Sequence, residues 1–241
     1  MNKRSKAVQK MFAAIPATYE LSNLVLTFGL DQLWRRKAVE IAAKHSGGLV
    51  LDICCGTGDM TRLLRSRCGP DTFIVGCDFS LPMVRLAKQS LLGQRVGFVV
   101  ADVDDLPFRT SPFGVATISF GLRNLNLDKE TLRERFAKIG RCLEPNGSFV
   151  CVETSQPKSL LLRRLFHLYV KLVIGPLGAL ISGNRPAYKY LASTIPKFYP
   201  LQKLCEILRN AGFEAIFCKR LFPGIAAMTL ATRFSSQFPP S

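Results

Sequence analysis

The chain has 241 residues, 48% of them hydrophobic, which is enough to bury one substantial core, so one domain with a single active site is expected. Its 33 Lys and Arg outnumber its 17 Asp and Glu, and the net charge of +16 indicates an anionic partner such as nucleic acid, an acidic membrane surface or an anionic substrate. Charge alone does not choose among these.

The eight cysteines and two histidines predict no metal site, because no C-x-x-C pair is present. The N-terminus is basic, but the apolar segment of a secretory signal does not follow it. We therefore expect a cytoplasmic protein whose cysteines are reduced and act as small, partly buried apolar side chains.

Helical patterns come first along the chain, and strand patterns follow. Residues 1–47 are predicted to form a helical lid, interrupted near Pro16 and Gly29. From residue 49 onward, short apolar runs alternate with segments of helical period, which is typical of a parallel, doubly wound sheet with ligands at the carboxyl ends of its strands. The predicted strands are 49–53, 73–77, 96–101, 115–119 and 148–152, and the helices between them are 60–67, 82–92 and 129–142.

The end of the chain breaks this alternation. After a predicted helix at 201–211, strands at 215–220 and 226–232 are joined only by a turn containing Pro223 and Gly224, which requires antiparallel pairing. A mostly parallel seven-stranded α/β sheet closed by a C-terminal antiparallel hairpin resembles the class I S-adenosylmethionine-dependent methyltransferase fold. We expect a single domain, 1–241, made of the lid 1–47, a cofactor-binding core 48–153, an insertion 154–200, and a final helix and hairpin 201–233.

A glycine-containing loop, DICCGTGD at 52–59, lies where the first strand turns into the first core helix. Gly56 and Gly58 allow a tight bend and the close approach of a ligand, while the helix N-terminus offers free N–H groups. A bare G-x-G also suits an ordinary turn, and a dinucleotide site would add a third glycine where Thr61 stands. S-adenosylmethionine has no phosphate to bind, so the pattern D-x-x-x-G-x-G resembles motif I of its methyltransferases.

Acidic residues follow the second and third strands. The carboxylate of Asp78 is placed to accept both ribose hydroxyls of a nucleoside cofactor. After the third strand, Asp102 can accept from an adenine amino group while the backbone N–H of Val103 donates to the ring. A solvated acidic loop is the alternative, because Asp104 and Asp105 crowd the same turn.

Five segments combine into a specific pattern: YELSN at 19–23, FGL at 28–30 with WRR at 34–36, GTGD at 56–59, ISFGLRN at 118–124 and YKYL at 188–191. Over nearly its whole length the chain resembles the ubiquinone and menaquinone biosynthesis C-methyltransferases of the UbiE/MenG type. The resemblance implies that S-adenosylmethionine is contacted by Thr57, Asp78, Asp102, Val103 and Ser119. The chain departs from the family at Glu20, where Asp is usual, and at Thr229, where His is frequent.

The resemblance implies methyl transfer to a ring carbon beside a hydroxyl of a prenylated quinol, with demethylmenaquinol favoured and a 2-methoxy-6-polyprenyl-benzoquinol left open. Arg123 and Asn124, just beyond the fourth strand, are the predicted catalytic residues, because donors there would stabilise a phenolate-like oxygen. Arg123 cannot easily be the base, since it stays protonated in proteins. In the alternative interpretation, this pair only caps local backbone.

The insertion is basic and amphipathic. Residues 154–205 contain no Asp or Glu but eight Lys and Arg, and on a helix Arg163, Arg164 and Lys171 fall opposite a leucine-rich side. Its apolar runs are interrupted well before the ~20 residues of a membrane span. The pattern predicts a lid that rests transiently on an anionic membrane, on its inner face, and admits an isoprenoid tail. An ordinary cover helix on the sheet is the alternative.

Three other functions fit parts of the pattern. A non-catalytic nucleic-acid or lipid binder that kept the fold would have a degraded cofactor loop, and the loop is intact. A methyltransferase acting on RNA or protein fits the charge, but such enzymes often carry an Asp/Asn-Pro-Pro-aromatic tetrad where residues 119–122 read SFGL, and no nucleic-acid module is visible. Nucleic acid is therefore not an expected partner. A methyltransferase acting on another small lipid shares every feature except the family-specific segments. The sequence leaves a homodimer open.

Overall fold

The computed structural model describes residues 8, 9, 11, 16–108 and 112–234, so most of the predicted lid before Pro16 and the tail 235–241 lie outside the described residues. Two helices precede the sheet, α1 (Pro16–Leu26) and α2 (Leu30–His45). The core continues with β1 (Leu49–Ile53), α3 (Asp59–Arg67), β2 (Phe73–Asp78), α4 (Leu81–Ser90), β3 (Val96–Val100), β4 (Phe113–Ser119), α5 (Leu122–Leu125), α6 (Lys129–Cys142) and β5 (Leu143–Thr154). The remaining elements are α7 (Leu160–Tyr169), a π-helical turn (Val170–Ile174), α8 (Gly175–Ser182), α9 (Arg185–Thr194), α10 (Leu201–Asn210), β6 (Phe213–Leu221) and β7 (Ala226–Arg233).

The predicted seven-stranded sheet is confirmed, with strand order β3-β2-β1-β4-β5-β7-β6. Strands β1 to β5 pair in parallel, and β7 runs antiparallel to both β5 and β6. The reversal of strand order on either side of β1 and β4 opens a crevice at their carboxyl ends, where ligands bind in sheets of this kind. The cofactor loop after β1 and the segment after β4 both lie at that edge.

Side chains alternate between the two faces of the sheet, and a hydrophobic core lies on each face. Along β1, Leu51 and Ile53 join a cluster with Phe136 of α6 and Leu208 of α10. Val50 points the other way, into a cluster with Trp34 of α2 and neighbouring side chains of α3. Each fully buried side chain of this size contributes about 1.5–3 kcal/mol, so the buried face of α2 contributes to holding that helix on the sheet.

The insertion is built on one long helix. Together α7, the π-helical turn and α8 span Leu160–Ser182, which is 23 residues. This helix is predominantly apolar, and most of its residues are not buried. Among the described residues this is one helix that is long and apolar enough to cross a membrane by length and composition alone. Gly178 packs against the ring of Tyr188 so closely that an added Cβ would come within 2.0 Å of it, which fixes α8 against α9.

The prediction that all cysteines are reduced is wrong for one pair, because Cys205 of α10 and Cys218 of β6 are joined by a disulfide. The helix lies along the strand, and this packing brings together two residues 13 apart in sequence. The other six cysteines are free, and all but Cys54 are buried, as expected for small apolar side chains.

Candidate active site

The first acid of the loop motif is structural. Asp52, at 1% exposure, accepts hydrogen bonds from the hydroxyls of Thr61 (2.6 Å) and Thr117 (2.9 Å). Burial raises the pKa of this carboxyl to about 6, against the lowering effect of the two hydroxyls. Since Thr61 belongs to α3 and Thr117 to β4, Asp52 ties both to β1 and so sets the shape of the loop between them.

The two loop glycines have different structural roles. Gly56 has a φ of 56° and open space around its Cα, and it lines the cleft at the carboxyl edge of the sheet. Gly58 has a φ of 94° and faces away from the cleft, where an added Cβ would lie 3.1 Å from the Cβ of Ala87. Of the predicted cofactor residues, Gly58 therefore contributes by packing α3 onto α4, whereas Gly56 and Thr57 line the cleft itself.

Asp78 organises the opposite wall of the cleft. Its Oδ2 accepts from the backbone N of Gly56 (3.0 Å) and its Oδ1 from the backbone N of Ser80 (2.9 Å). Burial raises the pKa of this carboxyl to about 6, although the backbone hydrogen bonds oppose the rise. Each oxygen keeps a further lone pair, so the carboxylate can still accept from a diol in the cleft.

The acidic turn after β3 divides its residues between two tasks. Asp102 and Val103 line the cleft, and Asp102 caps the following turn by accepting from the backbone N of Asp104 (3.0 Å). Asp104 faces Arg135, whose Nε donates to its Oδ1 (3.0 Å), and this pairing lowers the pKa of Asp104 to about 2. The alternative of a wholly solvated acidic loop thus does not describe Asp102, which faces the cleft.

The segment after β4 closes the cleft. Ser119 and Asn124 both line it, as does Phe120 between them. The Oδ1 atom of Asn124 is buried and has no hydrogen-bond partner in the described part of the chain. Because buried polar atoms are normally paired, this oxygen is placed for a donor on a bound ligand.

A second cavity lies behind Phe120, which lines both cavities. Its walls are mostly apolar, and three of its polar side chains are Asp31, Arg123 and Thr154. The apolar walls come from α1, α2, the segment after β4, the insertion and the β6–β7 turn: Leu26, Trp34, Phe120, Phe166, Tyr169, Ile174, Tyr188, Leu191, Ile195 and Ile225.

The predicted pair Arg123 and Asn124 faces two different cavities. Arg123 lines the second cavity, where its Nη1 donates to Glu153 Oε1 (3.3 Å) and to the hydroxyl of Thr154 (3.2 Å), while its backbone N donates to Glu153 Oε2 (3.1 Å). Its Nε is buried without a partner among the described residues. The side chains of Glu153 and Thr154 therefore fix the guanidinium, and its Nε–H remains available as a donor. Asn124 lines the first cavity instead.

Arg35 stands in the wall between the two cavities, and sequence reasoning assigned it no role. This side chain, 3% exposed, forms a salt bridge with Asp31, and its Nε lies 3.3 Å from the hydroxyl oxygen of Ser119. Its guanidinium carbon lies 5.0 Å from the centre of the Phe120 ring. The available signal was its spacing, since Asp31, Trp34, Arg35 and Ala38 share one helical face while Arg36 and Lys37 face solvent.

The first cavity suits S-adenosylmethionine. Three carboxylates line it, those of Asp59, Asp78 and Asp102, while its two arginines, Arg35 and Arg135, are already paired with acids. A cleft with excess negative charge favours a ligand that carries ammonium and sulfonium charges over one that carries phosphates. In the described part of the chain, no group of three or more His, Cys, Asp or Glu could hold a metal ion. Fold and cleft together define a class I S-adenosylmethionine-dependent methyltransferase.

The chain belongs to the ubiE/COQ5 methyltransferase family, whose profile matches residues 1–233. A demethylmenaquinone methyltransferase from Deinococcus radiodurans is 37% identical over 227 residues, covering 93% of this chain and 92% of its own. The ubiquinone/menaquinone biosynthesis C-methyltransferase UbiE from Desulfotalea psychrophila is 34% identical over 221 residues, covering 92% and 88%. An O-methyltransferase family protein from Burkholderia thailandensis has the same fold, with a TM-score of 0.65 at 16% identity over 92% of this chain and 60% of that one.

Protonation of Asp78 is expected to weaken cofactor binding. Because the pKa of this carboxyl is raised to about 6, acid removes a hydrogen-bond acceptor as the pH falls through 6. The dissociation constant of S-adenosylmethionine should then rise by up to about tenfold per pH unit below 6, as measured by isothermal titration calorimetry between pH 5 and 8. Asp78→Asn should bind more weakly throughout and with a flatter pH profile, while Asp105→Asn, at an exposed position, should match the wild type. An unchanged profile in Asp78→Asn would place the titrating group elsewhere, for example at Asp52.

Proposed function

We propose that this protein transfers the methyl group of S-adenosylmethionine to a ring carbon beside a hydroxyl of a prenylated quinol. Demethylmenaquinol is the first substrate we propose, and a 2-methoxy-6-polyprenyl-benzoquinol the second. The observation that carries the proposal is the second cavity, whose apolar walls and buried guanidinium suit a hydroxylated ring with a hydrocarbon tail, and which shares Phe120 with the cofactor cleft. The names of the relatives from Deinococcus radiodurans and Desulfotalea psychrophila support the same choice.

We assign the cofactor to the first cavity, with its ribose hydroxyls at Asp78 and its adenine at Asp102 and Val103. Gly56, Thr57 and Ser119 would border its remaining atoms, and Asn124 would accept from one of its donors through the orphaned Oδ1. When bound there, S-adenosylmethionine supplies an electrophilic methyl group on a sulfonium. Phe120 lines both cavities, so the ring of the substrate and the sulfonium would meet beside an apolar side chain, and apolar surroundings favour a reaction that removes charge.

Arg123 is assigned to the substrate oxygen. A ring hydroxyl in the second cavity would give the buried Nε of Arg123 the partner it lacks. A guanidinium beside a phenol lowers the pKa of that phenol, and the resulting oxyanion raises the electron density of the adjacent ring carbon. Glu153, at 2% exposure, orients the guanidinium from behind and keeps its charge compensated before substrate arrives.

The insertion helix is assigned to an anionic membrane surface. The exposed fractions of Leu161, Leu165, Leu168 and Leu172 lie between 51% and 69%, and these four residues recur at helical spacing on one side. Exposed apolar side chains also occur on α1, which packs against α8, and residues 154–205 contain eight Lys and Arg and no Asp or Glu. Such a helix binds in the plane of an anionic membrane, and its inner side supplies Phe166, Tyr169 and Ile174 to the substrate cavity. The tail could then pass from lipid into the cavity along the same helix, with the protein on the cytoplasmic face.

Label transfer tests the reaction. Purified protein is incubated with methyl-labelled S-adenosylmethionine and either reduced demethylmenaquinone or a reduced ubiquinone precursor in detergent, and the extracted lipid is counted. We expect label in the demethylmenaquinol, and none when the same compound is supplied as the oxidised quinone, because the quinone has no hydroxyl to activate its ring. No label in either quinol, with cofactor binding intact, would contradict the proposed substrate class.

The role of Arg123 is tested in a charge-neutral background. Replacing Arg123 alone would leave Glu153 buried and uncompensated, at a cost of about 3–5 kcal/mol, so the informative variant is Arg123→Gln combined with Glu153→Gln. We expect kcat to fall about 100-fold, the usual effect of removing one donor to an oxyanion, with the dissociation constant of S-adenosylmethionine within twofold of the wild type. Arg36→Gln, on the exposed side of α2, is the matched control. Normal turnover in the double variant would assign Arg123 to local structure.

Membrane contact is tested by sedimentation with vesicles. We expect the wild type to pellet with vesicles rich in phosphatidylglycerol, and to do so less with pure phosphatidylcholine or in 0.5 M salt, because salt screens exposed charges beyond about 3–8 Å. The variant Leu168→Gln with Leu172→Gln should lose most of this binding. Leu92→Gln, at a position 79% exposed after α4, should bind like the wild type. Equal pelleting of all three proteins would place the contact elsewhere.

A further inference from the structure

The proposed reaction needs a group that takes the proton of the substrate hydroxyl, and the second cavity restricts the choice. Among the described residues that line it, Asp31 is the one carboxylate. The hydroxyl of Tyr169 is occupied, since it donates to the carbonyl of Leu26 (2.8 Å), and burial raises the pKa of that phenol, so it stays protonated. The amide of Asn23 and the hydroxyls of Thr27 and Thr154 are too weakly basic to hold a proton.

Asp31 is held rigidly at the start of α2. It lies in the first turn of the helix. The Thr27 hydroxyl lies 2.8 Å from Asp31 Oδ1, and the Asp31 backbone N donates back to that hydroxyl (3.3 Å). Arg35, one turn later, forms the salt bridge to Oδ2. A carboxylate has about four acceptor positions, so these contacts leave room for a substrate hydroxyl.

The surroundings of Asp31 connect it to the site of methyl transfer. Arg35 lines the cofactor cleft, contacts Ser119 and Phe120, and lies 3.9 Å from Asp59 at the start of α3. The other charged or titratable groups that line the cavity are Arg123 of α5, Tyr169 of α7 and Tyr188 of α9. The lining of the second cavity thus contains one carboxylate and one guanidinium, and Arg35, the partner of that carboxylate, also lines the first cavity.

We propose that Asp31 is the catalytic base of this enzyme, a proposal that rests on the proposed function. The O–H bond of the ring hydroxyl breaks, the proton passes to a carboxylate oxygen of Asp31, and the electron pair stays on the substrate, where Arg123 stabilises it and the adjacent ring carbon becomes nucleophilic. Once that carbon has gained its methyl group, its original hydrogen leaves as a proton to solvent. The electrons of that C–H bond restore the aromatic ring, and the oxygen takes its proton back from Asp31, so one proton is released per turnover.

The test is the pH profile of kcat for Asp31→Asn in the full chain, with labelled cofactor and reduced demethylmenaquinone. Loss of a general base typically costs about 10²–10⁴-fold, so we expect at least a 100-fold loss of kcat at pH 7. The loss should shrink as the pH rises toward 10, because the quinol then ionises without help. Asp31→Glu should recover part of the rate with a profile as flat as that of the wild type. Glu40→Gln, which makes the same charge change on the exposed side of α2, should be unaffected.

The outcomes separate three cases. A kcat within threefold of the wild type, or a loss that is equal at every pH and accompanied by weaker cofactor binding, would make Asp31 only a partner of Arg35 and overturn the proposal. If Asp31→Asn does not fold, as judged by its melting temperature, Asp31→Glu decides: a folded Asp31→Glu whose kcat is within threefold of the wild type, and so does not depend on the position of the carboxylate, or is lowered equally at every pH together with weaker cofactor binding, would overturn the proposal as well. If the wild-type protein labels no quinol, the proposed function is contradicted. The proposal for Asp31 then fails with it, because no substrate hydroxyl gives up a proton.

Discussion

The burial of Arg35 is the constraint on which the rest of the site depends. A guanidinium removed from water is costly unless several partners surround it, and here the partners come from three parts of the molecule. Asp31 belongs to the same helix, Ser119 and Phe120 follow β4, and Asp59 opens the helix after the cofactor loop. Satisfying one cation therefore fixes α2, the sheet edge and the cofactor loop relative to one another, and it places the wall between the two cavities where Phe120 stands.

The same rule places the other buried polar groups. Asp52 accepts hydrogen bonds from two hydroxyls of neighbouring elements, and Glu153 accepts from the guanidinium and the backbone N–H of Arg123. Each of these carboxyls holds the end of a strand, β1 or β5, at the edge where the cavities open. With apolar side chains at these positions the sheet could still form, but the loops at its edge would lose the hydrogen bonds that fix them. Those loops form the site.

Much of the fold could be predicted from the sequence, because β-branched runs and helical periods alternate clearly, and a hairpin with so short a turn can only be antiparallel. The strand predicted at 148–152 extends to Leu143–Thr154, because Leu143 also pairs with Phe113 of β4 across an irregular polar stretch that has no strand pattern of its own. The disulfide could not be predicted, because it depends on how α10 lies along β6. Length, composition and cysteine spacing contain no such information.

The individual residues that line the first cavity could be predicted from the sequence. The arrangement of the two cavities could not. Gly56, Thr57, Asp78, Asp102, Val103, Ser119 and Asn124 all line one cleft. Successive residues on a helix point about 100° apart, which is why Arg123 and Asn124 face different cavities on the short helix α5. The sequence contains that angle, but it does not reveal that a cavity lies on each side. Arg35 was part of the family pattern but was assigned no role for the same reason, since a basic residue among basic residues becomes distinctive only when it is buried.

The insertion helix is apolar on two sides. Its inner side contributes Phe166, 6% exposed, to the substrate cavity, while Leu165 and Leu168 beside it are 54% and 51% exposed. A surface helix that served only as a cover would be polar on its outer side, and an exposed apolar row of this length calls for a neighbour other than water. The basic residues and the absence of acids along 154–205 are the reason for proposing an anionic neighbour. In that proposed arrangement, a lipid-tailed substrate and a lipid surface would meet the same helix from opposite sides, and one helix would determine both membrane contact and substrate entry.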